Sequence, residues 1–182
     1  FLEYEIIARV LGRKVVKVPL RYFKYDLASM KKRIDKKTKL VFIANPNNPT
    51  GTYVTKYELE EFLKDLQGHV VVVLDEAYDT FIDVNDFVSG TRYISQHNII
   101  VLKTFSKAYG LAGLRIGYSL SSSGIASYLE RARQPFNVNL LAQAAAIAAL
   151  DDKKFLRKTK DTVSKGKAYL YEKLKKMGLA YV

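Results

Sequence analysis

A chain of 182 residues with no cysteine and only two, widely separated histidines has room for one domain with its own core, and it excludes a disulfide scaffold, a thiolate metal site and a cysteine nucleophile; no metal is expected. Its net charge of +12 sits in two flanks: residues 9–39 carry twelve basic and two acidic side chains and residues 151–182 ten and four, while the rest carries eight and twelve, so runs such as KKRIDKKTK read as solvated faces and no nucleic-acid partner is expected. No apolar run approaches the roughly 18 residues of a membrane span, and the opening FLEYEIIARV lacks the basic start of a signal peptide, so the sequence predicts a cytoplasmic protein with no membrane partner.

In chain order, the pattern predicts a helix over Leu2–Leu11, a strand over Lys14–Val18 and a helix over Leu27–Ile34. Leu40–Ala44 is the next strand, followed by Asn45-Pro46-Asn47-Asn48-Pro49-Thr50-Gly51, which taken alone needs no explanation beyond a turn. A helix over Thr55–Gln67 begins with a capping box, Thr55 followed three residues later by Glu58. The strand Val70–Leu74 is apolar on both faces, as a central strand covered by helices on either side would be, and it runs into Asp75-Glu76-Ala77-Tyr78. A strand ending in Asp-Glu also resembles the magnesium strand of P-loop ATPases, but that reading needs a GxxxxGK[ST] loop, which this sequence lacks. Strand Ile99–Leu102 leads to Thr104, Ser106 and Lys107, and strand Leu114–Leu120 opens with Arg115. Helices follow over Gly124–Ala132, Leu140–Leu150 and Lys153 to Lys176, with Gly178 ending the last. This βα alternation predicts an α/β fold, a mostly parallel sheet in a three-layer α/β/α arrangement. Both ends look cut: the chain opens inside a helix and stops at Ala180-Tyr181-Val182 as a new extended run begins, as a domain excised from a larger protein would.

Ligands of open α/β sheets bind beyond the carboxyl ends of the strands. Four successive elements then bring to one edge the amide of Asn48, the carboxylate of Asp75 with the phenol of Tyr78, the hydroxyls of Thr104 and Ser106 with the amine of Lys107, and the guanidinium of Arg115. A lysine amine can form a Schiff base with an aldehyde cofactor, and pyridoxal 5′-phosphate is the aldehyde whose other polar groups match this set. Asp75 suits its pyridine nitrogen, Tyr78 and Asn48 its phenolic oxygen, and Thr104, Ser106 and Arg115 its phosphate.

The segments ANPNNPTG, VVVVLDEAY and KTFSKAYGLAGLRIGY resemble, in this order, the signatures of the fold-type-I pyridoxal-phosphate aminotransferases, most closely their histidinol-phosphate branch; RQPFNVNLLAQAAAIAAL is similar to that family as well. The resemblance implies that residues 1–150 are the cofactor-binding large domain, incomplete at its N-terminal side, and that residues 151–182 form a long helix leading toward a small domain beyond this chain. It places the cofactor-bonded lysine, which also acts as base, on Lys107 and the ring-nitrogen partner on Asp75. It further places Asn48 and Tyr78 at the phenolic oxygen, Tyr78 counting with Lys107 and Asp75 as catalytic, and Ser106, Arg115 and Thr104 at the phosphate. Asn137, in PFNVN, falls near the substrate. The implied protein is a homodimer acting on a small-molecule amino donor and a 2-oxo acid, namely L-histidinol phosphate and 2-oxoglutarate in histidine biosynthesis. The family's glycine-rich phosphate segment, ring-stacking aromatic and substrate-carboxylate arginine fall outside this chain, so these residues alone are expected to be inactive. A threonine-phosphate decarboxylase-like lyase and a non-catalytic effector domain of a regulator remain as alternatives.

Overall fold

In the computed structural model, which describes residues 2–182, the apolar runs pair into one four-stranded sheet in the order β1 (Leu40–Ala44), β2 (Val71–Asp75), β3 (Ile99–Thr104) and β4 (Gly117–Ser121). The pairs β1–β2 and β2–β3 are parallel, with Ala44 level with Asp75 and Asp75 level with Leu102. β4 runs antiparallel to β3, Thr104 opposite Gly117. The chain therefore leaves β1, β2 and β3, and enters β4, at the same edge.

Side chains alternate across these strands, which sorts them into two layers. Val41, Ile43, Val72, Leu74, Ile99 and Val101 share one buried cluster with Leu59, Phe62 and Leu63 of α3 (Lys56–Leu63) and with Leu27 of α2 (Leu27–Lys32). On the opposite face, Phe42 stacks against Tyr4 of α1 (Leu2–Val10), ring centroids 4.9 Å apart, and Val73 and Ile100 are buried. Helices on both sides of a mostly parallel sheet make the three-layer α/β/α fold that the alternation predicts. The remaining helices are α4 (Ser123–Ala132), α5 (Leu140–Asp151) and α6 (Lys153–Lys176). α6 leans on the loops of the sheet edge: Phe155 lies against Gly110, and Lys167 Nζ is 3.5 Å from Asp83.

Local chemistry fixes the element ends. The capping box of α3 is complete, Glu58 donating its backbone N–H to Thr55 Oγ1 at 3.3 Å while Glu58 Oε2 accepts the Thr55 N–H at 2.8 Å. α6 ends where Gly178 takes φ +69° and the N–H groups of Gly178 and Leu179 return to Lys175 and Leu174.

Three expectations are corrected. The strand over Lys14–Val18 does not form: the stretch has no ladder partner among the described residues, and Val16 is 53% exposed. Without a neighbour to take its backbone groups, alternation in VVKV is not enough. The helix expected to reach Gln67 ends at Leu63, where a tighter turn from Leu66 N–H to the Leu63 carbonyl redirects the chain. The last strand begins at Gly117, not Leu114, because Ala112–Leu114 winds into a 3-10 turn and Arg115 adopts φ 54°, ψ 49°. At Gly117 an added Cβ would lie 2.7 Å from the Lys103 carbonyl oxygen, so only glycine lets β4 approach β3 there.

Gly90 shows the same constraint deeper in the core. It opens a 3-10 turn over Gly90–Tyr93, and an added Cβ would stand 2.2 Å from Leu74 Cδ1. Gly90→Ala is expected to destabilise the protein by about 1–3 kcal/mol, the cost of overpacking a filled core. The check is the denaturant midpoint of the purified variant beside the parent protein.

Candidate active site

The loop after β1 divides its labour. Asn45 is 1% exposed; its Oδ1 accepts the Val54 N–H at 2.7 Å and its Nδ2 donates to the Val54 carbonyl. Asn47 donates to Thr50 Oγ1 at 2.7 Å, and Thr50 and Thr52 both donate to the Phe23 carbonyl. Those residues shape the turn. Asn48 instead reaches across to the loop after β2, its Nδ2 donating to the Tyr78 hydroxyl at 3.4 Å.

β2 ends in two carboxylates that part company. Asp75 takes the Ala77 N–H on Oδ1 at 3.1 Å and the Tyr4 hydroxyl on Oδ2. Glu76 turns inward and is 1% exposed, accepting from Ser89 Oγ, the Gly90 N–H and Lys103 Nζ, each at 2.6 Å. Lys103 also donates to Asp79, so one ammonium grips the chain on both sides of Tyr78. Burial alone would lower the Lys103 pKa, but its hydrogen bonds to Asp79 and Glu76 outweigh that and raise it above the usual lysine value.

Beyond β3, Phe105 is buried and packs its ring 5.0 Å from Tyr109 and 5.6 Å from Tyr118. Anchored there, the chain presents Thr104, Ser106 and Lys107 on the other side. The Ser106 N–H donates to Thr104 Oγ1 at 3.0 Å, and Lys107 Nζ lies 5.2 Å from the centre of the Tyr78 ring. Arg115, at the end of the 3-10 turn, ties its Nη1 to the Ala112 carbonyl at 2.8 Å.

Asn48, Asp75, Tyr78, Thr104, Ser106, Lys107 and Arg115 all line one cavity of about 290 Å³. Tyr4 and Lys103 line it too, and sequence reasoning passed over both. Lys103 stood inside the KTFSK segment and could have been singled out; Tyr4 lies 71 positions from its partner and carried no signal. Asn137 is not in this cavity. It lines a larger surface hollow of about 590 Å³ between α4 and α5 and accepts from Arg133 Nη1 at 3.3 Å. That hollow, lined by Glu130, Arg133, Pro135, Phe136, Val138 and Gln143 besides, brings together no amine, carboxylate and hydroxyl set comparable to the first.

The smaller cavity has an amine without a hydrogen-bonded carboxylate among the described contacts, a carboxylate, a phenol beside an amide, and two hydroxyls beside a guanidinium. That donor set fits pyridoxal phosphate group by group: an aldehyde for Lys107, a ring nitrogen for Asp75, a phenolate for Asn48 and Tyr78, and a phosphate for Thr104, Ser106 and Arg115. Among the described residues no cluster of potential metal ligands occurs, and no helix is long and apolar enough to cross a membrane.

Residues 1–182 match the family of class I and II aminotransferases. Over its whole length the chain is 48% identical to the histidinol-phosphate aminotransferase of Moorella thermoacetica, of which it spans 48%. The fold superposes with a TM-score of 0.83, at 33% identity, on the crystal structure of histidinol-phosphate aminotransferase from Sinorhizobium meliloti in complex with pyridoxal-5'-phosphate, covering 91% of this chain and 45% of that one. For L-threonine-O-3-phosphate decarboxylase from Porphyromonas gingivalis the TM-score is 0.68 at 28% identity, covering 87% of this chain and 47% of that one. The chain spans about half the length of the curated relatives it matches.

The Glu76–Lys103 pair yields a test of how the Tyr78 turn is held. Lys103→Met would leave a buried carboxylate without its cation, and a loss of about 3–5 kcal/mol is expected. Asp79→Asn, at a partner that is more exposed, is expected to lose less. Urea unfolding of both variants of the intact protein checks the ranking.

Proposed function

The chain belongs to the class I and II aminotransferase family, and from that premise we propose that the protein moves an amino group between L-histidinol phosphate and 2-oxoglutarate, with pyridoxal 5′-phosphate as cofactor, as a step of histidine biosynthesis. One observation carries the reading: a single cavity collects Lys107, Asp75, Tyr78, Asn48, Thr104, Ser106 and Arg115 from four successive segments of the chain. The 48% identity to the Moorella thermoacetica enzyme supports the choice of substrate. We place the protein in the cytoplasm as a homodimer, with residues 1–150 as its cofactor-binding domain and residues 151–182 as the helix leading out of it.

When bound, pyridoxal phosphate supplies an electron sink that makes the proton on the substrate's Cα removable. Lys107 would hold the cofactor through Nζ and would serve as the general base that takes the Cα proton. Its place beside the Tyr78 ring, with no carboxylate bonded to it among the described contacts, leaves Nζ able to move between those tasks. Lys103 is not a rival, because Glu76 and Asp79 occupy its ammonium. Asp75, fixed on both oxygens, would keep a proton on the ring nitrogen. Asn48 and Tyr78, already hydrogen-bonded to each other, would steady the phenolic oxygen, while Thr104, Ser106 and Arg115 would anchor the phosphate. The lyase alternative uses the same cavity, and the weaker likeness to the threonine-phosphate decarboxylase favours transamination.

Borohydride reduction of the intact, cofactor-loaded protein is expected to fix the cofactor mass on Lys107, read by peptide mass spectrometry; mass on another lysine contradicts the assignment. Asp75→Asn keeps the size and removes the charge, and a loss of at least about a hundredfold in turnover is expected, the scale of removing a charge-stabilising group from a catalytic site. The same assays run with L-histidinol phosphate should give the 2-oxo product and glutamate, whereas release of carbon dioxide from threonine phosphate would favour the lyase.

A further inference from the structure

We propose that Tyr4 is a positioning residue for Asp75, its hydroxyl holding the carboxylate plane in the orientation that the cofactor's ring nitrogen requires. This rests on the reading of Asp75 given above.

The torsion that turns an aspartate carboxylate is broad, so a single donor leaves the group free to swing about one oxygen. At Asp75 there are two. The Ala77 N–H holds Oδ1 at 3.1 Å, and the Tyr4 hydroxyl donates to Oδ2. Each carboxylate oxygen has two lone-pair directions, so Oδ2 keeps one for the cavity that both residues line.

Tyr4 is itself held. Its ring lies at 19° to that of Phe42 and 4.9 Å from it, so β1 sets the position of the phenol and β2 accepts its hydrogen bond. α1 has no fully buried residue among those described, and half-buried Tyr4 is where it meets the sheet. The helix thus closes one wall of the cavity through the same side chain that orients the carboxylate. A neutral donor also suits the task. A lysine or arginine at this place would pair off the charge that the ring nitrogen needs, whereas a phenol orients Asp75 and leaves it anionic. Burial, then the bond to Asp75 and its negative charge, hold the Tyr4 phenol well above the usual tyrosine pKa, so it remains a donor throughout the working range.

The test uses the intact protein and Tyr4→Phe, which keeps the ring and its stack and removes only the hydroxyl. In cofactor-free protein labelled with [ζ-13C]tyrosine, the Tyr4 signal is identified by its disappearance in Tyr4→Phe. It is expected to stay in the phenol form while surface tyrosines ionise near pH 10, and to ionise at lower pH in Asp75→Asn than in the parent. In loaded enzyme, Tyr4→Phe is expected to lower kcat about tenfold, the scale of one hydrogen bond to a charged group, with KM for the amino donor within about twofold. A Tyr4 that ionises with the surface tyrosines, or is unmoved by Asp75→Asn, overturns the bond. An unchanged kcat in Tyr4→Phe overturns the positioning role. The titration needs no cofactor, so its failure is distinct from failure of the Asp75 reading, which shows instead as normal turnover in Asp75→Asn.

Discussion

Parallel pairing of β2 with a neighbour on each side, in a register that levels Ala44, Asp75 and Leu102, is the constraint on which the site depends. Because side chains alternate along a strand, that register decides the fate of two adjacent carboxylates. Asp75 falls on the cavity side and Glu76 on the core side. A slip of one residue would exchange them, burying the group that faces the cavity and exposing the one that ties down the loop. Val72, Leu74, Ile99 and Val101 on one face and Val73 and Ile100 on the other are all apolar, so it is the polar strand end that opposes such a slip, which would pull Glu76 away from Ser89, Gly90 and Lys103. The pairing of one buried carboxylate thereby sets the chemistry of the cavity.

The inward carboxylate is stable because its charge is fully met. A carboxylate taken out of water costs several kcal/mol unless it is paired and hydrogen-bonded. Glu76 receives one ammonium, one hydroxyl and one backbone N–H, and the absence of a side chain on Gly90 lets that N–H come close. In return the segment from Ala77 to Gly90 is pinned at both ends. Tyr78 sits between Glu76 and Asp79, the two acids that share Lys103, so the phenol at the cavity wall inherits the rigidity of a buried ion pair.

Much of this was legible in the sequence because it depends on local rules. VVVVL announces a strand covered on both faces, and Thr55 with Glu58 announces the start of α3. The residues after three strands mark the cavity, since parallel strands deliver their ends to one side. The direction of β4 was not legible. Only short turns separate it from β3, and it is the antiparallel return, with Arg115 in a left-handed conformation before Gly117, that brings the guanidinium back to the same edge. Lys14–Val18 misled because alternation reports a face and not a partner. Tyr4 was invisible for the opposite reason: its importance lies wholly in a contact across the fold. Asn137, taken from the likeness of PFNVN, lines a different hollow, between the turn at Phe136 (φ 57°) and the cap of α5 by Asn139.

The central claim, that one sheet edge gathers the groups for a single cofactor, is tested most directly by a crystal structure of the intact protein grown with pyridoxal phosphate. The account predicts electron density continuous with Lys107 Nζ, with an Asp75 oxygen within hydrogen-bond distance of the ring nitrogen and the phosphate among Thr104, Ser106 and Arg115. Cofactor bound in the hollow between α4 and α5, or in the cavity with its ring nitrogen away from Asp75, would contradict it.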